Sequence, residues 1–130
     1  DLDRFKVVND TAGHVAGDAL LRECARVIGR QVREGDVVAR LGGDEFGLLL
    51  RHCPAQRAIQ IAERLIGALG DIRLAWKESL YDIGASAGLV QLDANVITVE
   101  EAMSRADVAC YAAKHRGRNR VSVYTPDDSE

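Results

Sequence analysis

Apolar residues recur at helical spacing through residues 18–32, where Leu20, Leu21, Cys24, Ala25, Ile28 and Val32 share one side of a 3.6-residue period. That spacing predicts an amphipathic helix. The pattern then changes to two apolar runs, residues 37–41 and 46–50, separated by Gly42-Gly43-Asp44-Glu45. Two strands with glycines between them read as a hairpin. Pro54, suited to a first helical position, opens a second helical stripe of Ala58, Ile59, Ala62, Leu65, Ile66 and Leu69. Ile72, Leu74 and Trp76 alternate, and residues 81–92 are rich in β-formers and small residues, which predicts an antiparallel pair joined near residues 77–79. Thr98-Val99-Glu100-Glu101 has the form of a capping box. It opens a last helix with the buried stripe Ala102, Met103, Ala106, Ala109, Cys110 and Ala113. Gly117 stops that helix after a basic final turn, and residues 121–124 predict a closing strand.

The predicted order is helix, helix, hairpin, helix, two strands, helix, strand. Such mixing implies an α+β fold, an antiparallel central sheet flanked by helices. The 130 residues suit one compact domain, and 47% of them are hydrophobic, enough for a packed interior. There are no internal repeats or low-complexity linkers, the apolar runs are far shorter than a membrane span, and no signal-peptide pattern opens the sequence. Cys24, Cys53 and Cys110 form no CxxC pair, so neither a disulfide framework nor a zinc site is expected. Each reads as a small buried hydrophobe, which suits a cytoplasmic location. A net charge of −3 argues against a general nucleic-acid binder. The charge is uneven, however: Lys114, Arg116, Arg118 and Arg120 crowd one segment with His115, an arrangement that a solvated helix C-terminus also favours.

The candidate chemistry lies in two acidic stretches. Asp44 and Glu45 sit where a hairpin tip would hold them rigidly while leaving them open to a ligand, and the glycines let a bulky group come close to the backbone. Asp1-Leu2-Asp3 is the second acidic cluster. Acidic pairs are usually solvated surface groups, so neither stretch alone is strong evidence. His14 has no triad partner or paired histidine, and Gly13-His14 reads as shaping the loop between the first two helices.

Several separated motifs agree with one another. Asp1-Leu2-Asp3-Arg4-Phe5-Lys6-Val7-Val8-Asn9-Asp10, then Gly13-His14, Gly17-Asp18, Gly42-Gly43-Asp44-Glu45-Phe46 and finally Tyr111-Ala112-Ala113-Lys114-His115-Arg116-Gly117-Arg118-Asn119 resemble, in order, the GGDEF family of diguanylate cyclases. The resemblance covers nearly the whole chain and implies a palm-like sheet related to nucleotidyl cyclases and polymerases. In that family a central strand precedes the first acidic motif. With Asp1 at the start of the sequence, the first strand is expected to be cropped, leaving ladder groups uncovered beside the hairpin. Residues 1–125 are assigned to the GGDEF domain and the acidic residues 126–130 to an exit linker.

The resemblance implies condensation of two GTP molecules into cyclic di-GMP with release of two pyrophosphates. It makes Asp1 and Asp44 the ligands of Mg2+ or Mn2+, with the Leu2 carbonyl assisting. Glu45 would serve a second metal or activate the attacking 3′-hydroxyl. Hard cations of this kind prefer carboxylates together with substrate phosphates. Asn9 and Asp18 would read the guanine edge, an amide and a carboxylate matching its acceptors and donors. Lys6, Lys114 and Arg118 would hold phosphates, helped by main-chain N–H groups near Arg4 and Phe5. Lys114 and Arg118 are four apart, on one side if the helix continues past Gly117.

Arg33-Glu34-Gly35-Asp36, five residues before the hairpin motif, matches the family's RxxD site, at which the product cyclic di-GMP binds and inhibits, with Arg64 as a supporting arginine. Catalysis would need a homodimer that brings two bound GTP molecules face to face. Sensor domains, a following EAL phosphodiesterase domain and a membrane-anchored parent protein belong to the same expectation. The rival is a non-catalytic module that binds GTP or cyclic di-GMP. A polymerase palm ranks lower, because the basic surface it needs is missing. The sequence departs from the family at Ser86-Ala87-Gly88, where a larger apolar residue than Ala87 is usual.

Overall fold

The computed structural model describes residues 1–77, 79–93 and 98–125; the proposed exit linker, 126–130, lies outside them. The chain opens with a two-residue strand, β1 (Leu2–Asp3), followed by α1 (Phe5–Ala12) and α2 (His14–Gln31). β2 (Val37–Gly42) and β3 (Glu45–Leu49) form the expected hairpin, with Gly43 and Asp44 at its tip and a bulge between Arg40 and Gly42. α3 (Ala55–Gly70) leads to β4 (Arg73–Trp76) and β5 (Ser79–Asp82). Then come β6 (Gly84–Ala85), β7 (Ala87–Leu89), α4 (Val99–His115) and β8 (Val121–Val123).

Two expectations need correction. The segment 81–92 is not one strand. Its residues divide among β5, β6 and β7, which pair with β4, β1 and β8 respectively. The β7–β8 pair is parallel, whereas the other ladders are antiparallel. Ahead of α1, Leu2 pairs with Ala85 and Asp3 with Gly84. A backbone bond joins the β1–β6 ladder to the hairpin, Leu2 N–H donating to the Asp44 carbonyl. The bonds from Ala87 N–H to the Arg120 carbonyl and from Tyr124 N–H to that of Leu89 belong to the parallel β7–β8 ladder.

Helices pack against these strands, α3 beside Ala87 and α4 against Gly88 on the opposite side. Val8, Leu20, Ile28 and Ile61 are almost completely buried, and Leu65 and Leu69 of α3 meet Ile72 and Ile83 beside them. Each fully buried aliphatic side chain contributes about 1.5–3 kcal/mol. The stripe of α4 is shallower than its spacing suggests. Ala109 and Ala113 are buried, but Met103 is exposed. It lines an apolar groove of about 860 Å³ together with Val37, Leu41, Leu49 and Val99. Thr98 caps α4 as expected, its Oγ1 accepting from Glu101 N–H at 3.0 Å, while the Glu101 carboxylate turns to Arg105 at 2.6 Å instead of reaching back. No described helix is long and apolar enough to cross a membrane.

Candidate active site

The hairpin tip and β1 place the two acidic stretches side by side. Leu2 N–H donates to the Asp44 carbonyl at 3.0 Å, so positions separated by most of α1, α2 and β2 become neighbours. Asp44 and Glu45 are half-buried. Asp1 is held on its other flank, where its main-chain nitrogen donates to the Ser86 carbonyl at 3.0 Å and its own carbonyl accepts from Ser86 N–H at 2.9 Å. Its carboxylate accepts from Lys114 Nζ at 2.8 Å. Cys110, expected to be a plain core residue, is half-buried with its Sγ 3.7 Å from the same Asp1 oxygen. Only Cys24 is fully buried, and burial pushes its thiol up to about 12.

Asp3 emerges as a residue that motif reading alone did not single out. It is buried, and its carboxylate accepts from Ser86 Oγ at 2.9 and 3.1 Å and from Asn119 N–H at 3.2 Å. It therefore joins the strand carrying Asp1 to the loop carrying Arg118. That loop arises because α4 stops in a Schellman motif: Arg118 N–H reaches the Ala113 carbonyl at 3.1 Å and Gly117 N–H reaches that of Lys114 at 3.4 Å. Gly117 has φ +119, which only glycine adopts readily. The helix thus does not continue, and Lys114 and Arg118 are not stacked one turn apart. Arg118 itself is left-handed, at φ 61, and exposed. Arg116 and Arg120 take local structural partners, Ser122 Oγ and the Arg118 carbonyl.

The start of α1 lies directly after Asp3. Arg4 is left-handed at φ 68 and caps it, leaving the N–H groups of Phe5 and Lys6 in a first turn that has no intrahelical acceptors. The Phe5 ring is buried in the core, so only its main chain is available to a ligand; Lys6 is exposed. Arg4 is exposed as well, 3.9 Å from Asp82. Asn9 on α1 faces Gly17 on α2, beside exposed Asp18. A Cβ at Gly17 would overlap Asn9 Oδ1, so the glycine makes room for the amide. The two proposed base readers thus sit on adjoining helices.

Arg33, Asp36 and Arg64 lie elsewhere. The Asp36 carboxylate accepts from Arg33 N–H at 2.9 Å and Arg51 N–H at 3.1 Å, and Arg33 Nη2 donates to the Arg51 carbonyl at 2.6 Å. These bonds close the open end of the hairpin. Its strands put that end roughly 17 Å from the tip, at about 3.3 Å per residue. The same N–H donors hold the Asp36 carboxyl below the usual carboxylate range. Arg64 is exposed on α3, and among the described residues it bonds to neither Arg33 nor Asp36.

The donors near the tip are all hard: three carboxylates and the Leu2 carbonyl. Among the described residues no cluster of His, Cys, Asp and Glu forms a ready metal cage. That arrangement fits Mg2+ or Mn2+, which keep few protein ligands and complete their shell with phosphate and water, better than it fits zinc.

A family profile described as diguanylate cyclase, GGDEF domain, matches residues 1–120. The chain belongs to the GGDEF family. A curated relative, the probable diguanylate cyclase DgcE of Escherichia coli K12, is 54% identical over 99% of this chain and 12% of its own length. The cyclic di-GMP phosphodiesterase PdeB of Shewanella oneidensis is 37% identical over 100% of this chain and 15% of its own length. This GGDEF chain therefore spans a small part of both relatives. Among solved structures, the GGDEF domain of DgcB from Caulobacter crescentus in complex with c-di-GMP superposes with a TM-score of 0.88. It is 33% identical, over 95% of this chain and 73% of that one. The palm-like α+β fold expected from the sequence is thereby shown.

Proposed function

We propose that this domain is a diguanylate cyclase, joining two GTP molecules into cyclic di-GMP and releasing two pyrophosphates. The observation that carries the reading is the Leu2–Asp44 hydrogen bond, which sets Asp1 beside the Gly42-Gly43-Asp44-Glu45 tip. Asp1, Asp44 and the Leu2 carbonyl hold Mg2+ or Mn2+, whose charge, when bound, offsets that of the phosphates. Glu45 is placed to accept the proton of an attacking 3′-hydroxyl or to serve a second cation. Lys6, Lys114, Arg118 and the N–H groups that open α1 take the remaining phosphate charge, and Asn9 and Asp18 take the guanine edge. Phosphoryl transfer asks a protein mainly for positioning and charge stabilisation, and this set supplies both.

Each domain binds one GTP, and two domains must face each other; the proximity so gained is worth about 7–11 kcal/mol. Product inhibition acts at Arg33, Asp36 and Arg64, near the open end of the hairpin. The parent chain carries further domains, a sensor and an EAL phosphodiesterase, in keeping with the small share of its relatives that this chain covers.

The test is pyrophosphate release from GTP and Mg2+ by the full-length protein, or by the domain with its neighbours and an enforced dimer. Turnover that Glu45→Gln abolishes supports the proposal. A second reading, a nucleotide-binding module that tunes a phosphodiesterase, is favoured by the name of the Shewanella relative. It requires GTP binding without turnover, and indifference to Glu45→Gln.

A further inference from the structure

We infer that Lys114 is a two-position residue that guards the Asp1 carboxylate, so that a divalent cation gains Asp1 more readily in company with a nucleotide. The inference rests on the functional reading above and adds an order of events to it. Lys114 Nζ lies 2.8 Å from Asp1 Oδ2, with the two side chains 34% and 25% exposed. An ammonium at hydrogen-bond distance occupies the direction from which a cation would approach that oxygen. Two cations held a few ångströms apart on one carboxylate repel each other, so lysine and metal compete.

The two partners differ in freedom. Asp1 is fixed by main-chain bonds on both sides of its peptide, to Ser86 N–H and to the Ser86 carbonyl, and Cys110 Sγ packs 3.7 Å from its carboxylate. Lys114 has only its backbone fixed, in the Schellman turn that ends α4, and its ammonium moves on a flexible four-carbon stem. Lys114 is therefore the partner that yields. A triphosphate offers it a more highly charged anion, and its departure frees Asp1 for the cation that the triphosphate brings. Nucleotide and metal then strengthen each other's binding, and by linkage the coupling is reciprocal. A lysine that merely complements the negative end of α4 would show no such coupling.

The experiment is a titration of Mn2+, read by electron paramagnetic resonance, into the full-length protein without nucleotide. Wild type, Lys114→Gln and Lys114→Arg are compared, and affinity for GTP·Mn2+ is measured in parallel. Lys114→Gln should bind free Mn2+ about fivefold more tightly, the scale of one partly exposed ion pair, while binding GTP·Mn2+ more weakly. Lys114→Arg, which keeps the charge, should stay near wild type for free Mn2+. Unchanged or weaker Mn2+ binding in Lys114→Gln, with wild type still binding GTP·Mn2+, overturns this inference alone. Failure of wild type to bind GTP·Mn2+ at all overturns the functional reading and this inference with it.

Discussion

The N–H of Asn119 donates to Asp3 Oδ2 at 3.2 Å, across 116 residues of sequence. This bond fastens the turn after α4 to the strand that carries Asp1, and Ser86 Oγ shares the same buried carboxylate. The acidic tip and the basic loop are thus set against each other by a residue that belongs to neither.

Asp3→Ala should leave the Ser86 hydroxyl and the Asn119 N–H without their acceptor. The expected cost is about 1–3 kcal/mol, the range for stranded buried polar groups, read as a lower urea midpoint. GTP affinity should fall too, because Arg118 loses its anchor. A variant as stable as wild type would show that the carboxylate is dispensable.

Gly17→Ala should act differently. The added methyl group meets the end of a flexible side chain, Asn9 Oδ1, and alanine improves helix propensity by up to about 1 kcal/mol. Stability should therefore change little while GTP affinity drops and preference over ATP narrows. Calorimetric titration with both nucleotides checks this, and unchanged discrimination would remove Asn9 from the guanine site.

The Asp36 carboxyl sits below its ordinary value of 3.8 because N–H groups of Arg33 and Arg51 bond its ionised form. A depressed folded value adds stability above the unfolded value, and that stability is lost as pH falls through the folded one. Unfolding followed from pH 6 down to about pH 2 should show this loss in wild type and a flatter acid limb in Asp36→Asn. Parallel curves would mean that the carboxylate does not support the hairpin.

Much of this architecture was legible in the sequence. Helices α2, α3 and α4 announce themselves by period, and the hairpin by its glycines between apolar runs. The family resemblance also implied that the stretches carrying Asp1 and Asp44 lie close together, and Leu2 N–H does bond the Asp44 carbonyl. What the sequence hid depends on partners far along the chain. Residues 81–92 look like one strand because short β segments carry no mark of which neighbour each will take. Asp3 resembles any solvated acid until Ser86 and Asn119 enclose it. Cys110 keeps the helical period of a core residue, yet its turn of α4 faces Asp1. The position of Arg118 depends on the left-handed turn around Gly117, and four-residue spacing alone points to a continuing helix.

Cys24, with its thiol pushed up to about 12 by burial, should resist a thiol reagent near neutral pH while half-buried Cys53 and Cys110 react. Mass spectrometry after brief labelling reports this directly, and early modification of Cys24 would contradict the packing of α2.

The proposal that Asp1 and Asp44 share one cation is tested most directly by a double-mutant cycle on GTP·Mg2+ affinity, using Asp1→Asn, Asp44→Asn and the pair together in the full-length protein. The two carboxylates should be coupled, with the double variant losing clearly less affinity than the sum of the single losses. Simple additivity, with each loss independent of the other, would contradict a shared metal.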